Sequence, residues 1–458
     1  MQTDRRQFLQ SLGAGFGSLA ANALLATEKQ KPHFAPKADS VIFLFMYGGP
    51  SQVDTFDPKP ALQEWAGKAI PVYKQEDGFF QGQTKPTAMP SRWNFKKYGQ
   101  SGLEISELLP NISRHADKLC VVRSMHADSN NHGPALSQMN SGFILPGYPT
   151  MGSWLGYGLG NASNDLPGYV VLLDKNGAPV NGTINWSNGF MPARYQGIPF
   201  RSQGVPIANL GLPHGVNRED QRARLDFLKT QNQQYAGRHP GDSALEARIE
   251  AYELAFRMQS AAPEVTDLSL ESEFTRKAYG LEDNNTKYFG RNCLLARRLV
   301  ERGVRFIQVY SGGNTGPSAW DAHKDLKGNH SRQCVQTDQP ITSLLSDLES
   351  RGLLERTLVI WGGEFGRMPT HQGAEGRDHN PFGFTYWMAG GGVKPGTIHG
   401  ATDDFGYHAA EGKVHVHDLH ATIFHLLGLD HTHLTYHHLG RDFRITDVHG
   451  KVVQNLIT

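Results

Sequence analysis

Histidine both ligates metal ions and moves protons near neutral pH, and this chain of 458 residues carries 21 histidines, 13 of them after position 370. Four polar clusters directly follow apolar runs that read as strands. FMYGGPSQVDTFD offers Ser51, Asp54, Thr55 and Asp57, and MHADSNNH offers His126, Asp128 and His132. SGGNTGPSAWDAHKDLKGNH offers Asp321, His323 and His330; GGEFGR offers Glu364 and Arg367, and GRDHN adds Asp378 and His379. Carboxylates and neutral imidazoles are what a hydrolytic divalent-metal site needs, and two ions about 4 Å apart need roughly six such ligands. Asp321 and His323 are two residues apart, so on an extended piece they face the same side. Each cluster alone fits the local turn and capping roles of Asp and His. Together they point to metal-dependent hydrolysis.

For the clusters to meet, the runs before them must be strands of one sheet whose carboxyl ends collect on one edge. VIFLFM at 41–46 is short, unbroken and apolar, the pattern of a buried parallel strand. LCVVRSM at 119–125, YVVLL at 169–173, RFIQVY at 305–310, TLVIWGG at 357–363 and FTYWMAGG at 384–391 read as further strands. Helical periodicity predicts two helices over 217–262, with Leu245, Ile249, Tyr252, Leu254 and Phe256 marking apolar faces, and further helices over 290–302, 338–351 and 419–428. Residues 65–102 read as a loop layer over the sheet, and 151–204 as a Gly, Asn and Pro-rich region around one strand. Neither a fixed-period repeat nor a composition break is visible, so 37–458 reads as one mixed α/β domain.

Composition excludes several classes. With 38% apolar and 19% charged residues, 51 Gly and 25 Pro, the chain is neither coiled coil, collagen nor disordered. Lys plus Arg (45) nearly cancels Asp plus Glu (44), which makes nucleic acid and anionic membrane poor partners. Cys120, Cys293 and Cys334 lack any CxxC spacing and read as buried thiols. The absence of GxSxG, P-loop, HExxH and a dinucleotide-binding fingerprint removes support for serine hydrolases, nucleotide triphosphatases and nicotinamide enzymes.

The N-terminus reads as an address. TDRRQFLQ places Arg5 and Arg6 before Phe8 and Leu9, and 11–26 is small, apolar and uncharged, the pattern of a twin-arginine signal over 1–26 cleaved near Ala23 or Ala26. The expected location is periplasmic or otherwise exported, through the twin-arginine machinery, which carries proteins already folded. An uncleaved anchor is the alternative. The apolar stretch is shorter than the roughly 20 residues that span a bilayer, so no stable membrane span is expected after cleavage.

FMYGGPSQVDTFDPKP, CVVRSMHADSNNHGPAL, MGSWLGYGLG, GRNCLLARRLVERGVRFIQVY, WGGEFGRMP, GRDHNPFGFTYWMAGGGV, ATDDFGY and VHDLHATIFHLLGLD together resemble the domain-of-unknown-function family 1501, over nearly the whole chain from about Lys37. That resemblance implies an α/β fold of the alkaline phosphatase superfamily, sulfatase-like: a mixed sheet flanked by helices, with long Gly/Pro-rich loops. It puts Glu364 where the superfamily has an Asp ligand, Phe365 in place of the usual His, Asp321 and His323 at the upstream Asp and His pair, and His379 at the late His. The CxPxR or SxPxR motif of sulfatases is absent. The expectation is a divalent ion (zinc, calcium or magnesium) held by Asp54, Asp321, His323, Glu364 and His379. Ser51 or Thr55 would attack, and Arg367 or His132 would stabilise developing charge on a small-molecule or polysaccharide sulfate or phosphate ester. The competing expectations are that Ser51 only caps a helix starting near Val53, and that the protein is a non-catalytic exported binder with the same fold.

Overall fold

The apolar run at 41–46 forms β1, Ser40–Met46, and every one of its residues is buried. Ile42, Leu44 and Met46 enter one apolar core and Val41, Phe43 and Phe45 enter a second on the opposite face. A strand covered on both faces is apolar at nearly every position, so the run at 41–46 shows no polar alternation. The computed structural model describes residues 31–72 and 86–458, except 202, 204–205, 208–209, 213, 239–242 and 315–318. The expected export signal at 1–26 therefore lies outside the described residues.

Eight further strands join β1: β2 (Cys120–His126), β3 (Tyr169–Leu172), β4 (Ile198–Phe200), β5 (Phe306–Ser311), β6 (Thr357–Gly362), β7 (Phe384–Ala389), β8 (Thr397–His399) and β9 (Val414–His415). They make a nine-stranded sheet in the order β8-β2-β7-β6-β1-β5-β3-β4, with β9 also beside β2. β1 is central and parallel to both neighbours; Phe45 pairs with Tyr310 on one side and Gly362 on the other. β7 alone is reversed, antiparallel to both β6 and β2. The carboxyl ends of β1, β2, β5 and β6 thus share one edge with the amino end of β7, and every polar cluster of the sequence is attached to that edge.

Helices cover both faces. On the Val41 side lie α1 (His132–Ser141), α2 (Met151–Leu159) and, later in the chain, α7 (Val416–Leu426). α3 (Arg218–Arg238) packs on α4 (Ser243–Thr266). α4, α5 (Lys287–Glu301) and α6 (Leu326–Ser350) line the Ile42 side. Among the described residues no helix is long and apolar enough to cross a membrane. Cys120, Cys293 and Cys334 are free and buried.

Three expectations are corrected. The loop layer expected over 65–102 contains a strand, Phe95–Tyr98, which forms an antiparallel hairpin with Leu103–Ser106 just beyond it. The supposed irregular region opens with α2, whose glycines hide its periodicity: a Cβ at Gly152 would sit 2.4 Å from the Tyr169 ring, so the helix uses glycine to approach the sheet. α6 begins at Leu326 rather than Asp338, because Asp325 caps it by accepting the Gly328 N–H at 2.8 Å and the helix continues through Pro340.

Two buried histidines set an acid limit on the fold. His330 on α6 and His420 on α7 are fully buried, and burial above all pulls both pKa values from 6.5 to about 3. Below pH 6.5 the unfolded chain takes up protons that the folded chain refuses, so stability is complete above that value and is lost as pH falls toward 3. Each such group costs up to about 1.4 kcal/mol per pH unit. His420→Gln, which keeps a donor for the Met139 carbonyl, should flatten the fall in urea-unfolding free energy between pH 6.5 and 4.5; wild-type and variant slopes that coincide would show that His420 takes up its proton equally in the folded and unfolded chain.

Candidate metal centre

Two glycines after β1 set the geometry. Gly48 and Gly49 have φ of +109° and +84°, and a Cβ on Gly48 would lie 2.6 Å from the Asp321 backbone nitrogen. This bare turn lets the Tyr47 carbonyl accept the Trp320 N–H at 2.8 Å, which fixes Asp321 beside it. The Gly48 N–H points to both carboxylate oxygens of Glu364, at 2.9 and 3.2 Å. Asn131 caps α1, so His132 is the first helical residue and leans over the sheet edge. His379 arrives from the other direction, in a short antiparallel pair with Gly366–Arg367 that leads into β7.

His132, Asp321, His323 and His379 each turn one ligand atom to a common point, all within 4.8 Å of one another. Nε2 of His323 lies 2.9 Å from Nε2 of His379, and Asp321 Oδ1 lies 2.9, 3.1 and 3.4 Å from Nε2 of His323, His379 and His132. Donors bound to one ion at 2.0–2.1 Å in a tetrahedron sit about 3.3 Å apart, close to these four distances.

The opposite ring nitrogens decide the tautomers. His132 Nδ1 donates to Glu364 Oε1 at 2.6 Å, His379 Nδ1 to the Asn130 carbonyl at 2.6 Å, and His323 Nδ1 to Gln372 Oε1. With its proton on Nδ1, a neutral imidazole presents a bare lone pair at Nε2. Three lone pairs and a carboxylate oxygen facing one point repel unless a cation, either a metal ion or a proton shared by one ring, lies among them. Nε2 of His132, buried and without a hydrogen-bond partner, fits the same requirement. The residues therefore fit a metal ion.

Charge is divided unevenly. Burial would raise the Asp321 carboxyl, but Arg367 and the three histidines hold it far below the carboxylate range. Burial, followed by the Arg367 charge, takes His379 down to about 3. Burial also opposes the charged form of His132, yet the neighbouring carboxylates of Asp321 and Glu364 outweigh it and lift the ring to about 9.

The other candidates stand around this group. Glu364 is fully buried behind His132, as its orienting carboxylate. Arg367 has its guanidinium committed to the carbonyls of Gly48, Gly49 and Arg377 and, at 2.6 Å, to Asp321. Asp54 forms an ion pair with Arg377 at 2.8 Å and accepts the Ser51 hydroxyl at 2.5 Å. Ser51 stands at the N-cap of Gln52–Thr55 without capping it through its side chain, and Thr55 donates to the Ser51 carbonyl at 2.7 Å. Phe365 stacks on His379 with ring centroids 4.3 Å apart. Sequence reasoning passed over Asn130 and Gln372, whose roles depend on a carbonyl and a neutral amide that no ligand pattern flags.

The sequence profile described as "Protein of unknown function (DUF1501)" matches residues 38–457. The chain belongs to the DUF1501 family. No curated protein matches this DUF1501 chain. Among solved structures it is similar to the lipoteichoic acid synthase LtaP from Listeria monocytogenes, at 9% identity over 93% of this chain and 80% of that one, with a TM-score of 0.42. It is also similar to the PsFucS1 sulfatase from Pseudoalteromonas sp., at 13% identity over 89% and 70% with a TM-score of 0.37. A third is the phosphonate monoester hydrolase SpPMH from Silicibacter pomeroyi, at 9% identity over 70% and 68% with a TM-score of 0.34.

Glu364→Gln keeps the shape behind His132 but removes the charge that orients its ring. Zinc affinity measured by chelator competition should fall about 10–100-fold with the fold retained by circular dichroism. Unchanged affinity would mean that Glu364 does not set the His132 ring.

Proposed function

We propose that this DUF1501 chain is an exported metal-dependent hydrolase of sulfate or phosphate esters. The observation that carries the reading is the convergence of three Nε2 atoms and Asp321 Oδ1 on one point, with the Nδ1 of each ring held by its own acceptor. Three imidazoles and one carboxylate suit zinc or another borderline transition ion better than calcium or magnesium, which favour oxygen ligands. Such an ion, when bound, supplies Lewis acidity and positive charge for an anionic ester. The chain's residues supply the rest. Arg367 and Glu364 hold the ligands in place, Phe365 and the buried ring of Tyr47 wall the site, and His323, whose side chain is 32% exposed, faces the solvent side.

Ser51 and Thr55 are almost fully buried, with both hydroxyls donating inside the protein. This supports hydrolysis by water over a covalent hydroxyl route. One observation favours the competing binder: four protein donors close a tetrahedral shell, as in structural zinc sites.

Protein purified from its native export route should contain zinc and cleave a chromogenic phosphate or sulfate ester. Turnover should disappear with a chelator and return with zinc but not with calcium. A fully zinc-loaded protein inert toward both ester classes would favour the binder. Ser51→Ala should lower stability by about 1.5–3 kcal/mol, the range for a hydrogen bond to a charged group, while turnover per folded molecule persists; its collapse with metal content unchanged would restore the covalent route. For export, Arg5→Lys with Arg6→Lys should retain the protein in the cytoplasm, and full export of that double variant would remove the twin-arginine proposal.

A further inference from the structure

The four donors are not held alike. His132 is backed by the buried Glu364 carboxylate, His379 by a backbone carbonyl and the stacked Phe365 ring, and Asp321 by the Arg367 guanidinium. Their side chains are 16%, 13% and 17% exposed. His323 differs in exposure and support. Its side chain is 32% exposed, and its Nδ1 partner is the amide oxygen of Gln372, neutral like the Asn130 carbonyl behind His379 but carried on a rotatable side chain rather than fixed in the backbone, and so a looser support for the ring. Asp378 Oδ1 lies 3.8 Å from that same Nδ1, on the ring edge facing away from the common point, so a ring that turns away from the centre meets a carboxylate there.

We infer that His323 is an exchangeable ligand: Asp321, His132 and His379 form the permanent tripod, and His323 leaves when an oxygen of an anionic ester binds, turning to pair with Asp378. Three fixed donors with one exchangeable position is the pattern of catalytic zinc sites, whereas four fixed donors is that of structural ones. The inference rests on the metal-centre reading and assigns the solvent-facing side of that site as the side where the ester binds. No covalent bond changes in the exchange; the released imidazole keeps its Nδ1 proton and its freed Nε2 is solvated.

The experiment compares wild type, His323→Ala and His379→Ala as full chains, titrated with zinc and with cobalt(II), whose visible absorption reports coordination number, and then with inorganic phosphate. His323→Ala should keep zinc with affinity reduced less than about 10-fold, whereas loss of a fixed ligand in His379→Ala should cost more than about 100-fold. Phosphate should change the wild-type cobalt spectrum, and the His323→Ala spectrum should already be altered before phosphate is added. Gln372→Glu, which gives His323 a carboxylate partner, should tighten zinc and suppress the phosphate-induced change; this variant also serves if His323→Ala fails to fold. Zinc loss in folded His323→Ala as severe as in His379→Ala, or an unaltered phosphate response in Gln372→Glu, overturns the inference while leaving the metal centre standing. Wild type that binds neither zinc nor cobalt overturns the metal-centre reading itself.

Discussion

A guanidinium with no exposed surface ties the sheet edge together. Arg367 reaches the carbonyls of Gly48, Gly49 and Arg377 and the carboxylate of Asp321, so the turn after β1, the segment after β5, the segment after β6 and the approach to β7 meet at one cation. A charge removed from water is tolerated only when it is paired and its donors are satisfied, and leaving it unpaired costs several kcal/mol. The same charge also works at a distance. It opposes the effect of burial on Asp321, keeping that group ionised, and reinforces the effect of burial on His379, keeping that ring neutral. One buried cation therefore favours both protonation states that a carboxylate–imidazole ligand set requires.

A second buried arginine separates the polar residues that follow β1 from the centre. Arg377 binds Asp54 and the carbonyls of Met368 and Met89, and Asp54 in turn accepts from Ser51. The backbone N–H of Ser51 donates to His330 Nε2 at 2.9 Å. Ser51, Asp54 and His330 are thereby joined in a brace beneath the site, with their polar atoms turned toward one another. Asp and His after a strand can serve as ligands or as braces, and the difference lies in which guanidinium neutralises the carboxylate and whether imidazoles share it.

Ligand orientation depends on groups without metal chemistry of their own. A carboxylate, a backbone carbonyl and a side-chain amide receive the Nδ1 protons of His132, His379 and His323, and these acceptors come from three separate segments. Phe365 contributes by shape, with its ring against His379 and 5.0 Å from His132. A phenyl ring there supplies no donor atom but limits how the two imidazoles can turn.

The sequence alone pointed to the layered α/β architecture, because strands covered on both faces are predominantly apolar and 41–46, 119–125, 305–310 and 357–363 are short runs rich in β-branched and aromatic residues. It also placed the Asp and His clusters at the ends of predicted strands, and its DUF1501 motifs reach across nearly the whole chain. It did not reveal α2, since glycines placed for close packing erase helical periodicity, nor the true start of α6, where one aspartate cap outweighs the signal of an internal proline. Within the site, residue types singled out Asp321, His323 and His379 as candidates, but only the tertiary structure brought His132 to their common point and turned Glu364 toward His132 and Asp54 toward Arg377. The physical reason is that a carboxylate becomes a ligand, an orienting acceptor or half of an ion pair according to the cations and N–H groups that surround it, and those come from segments hundreds of residues apart.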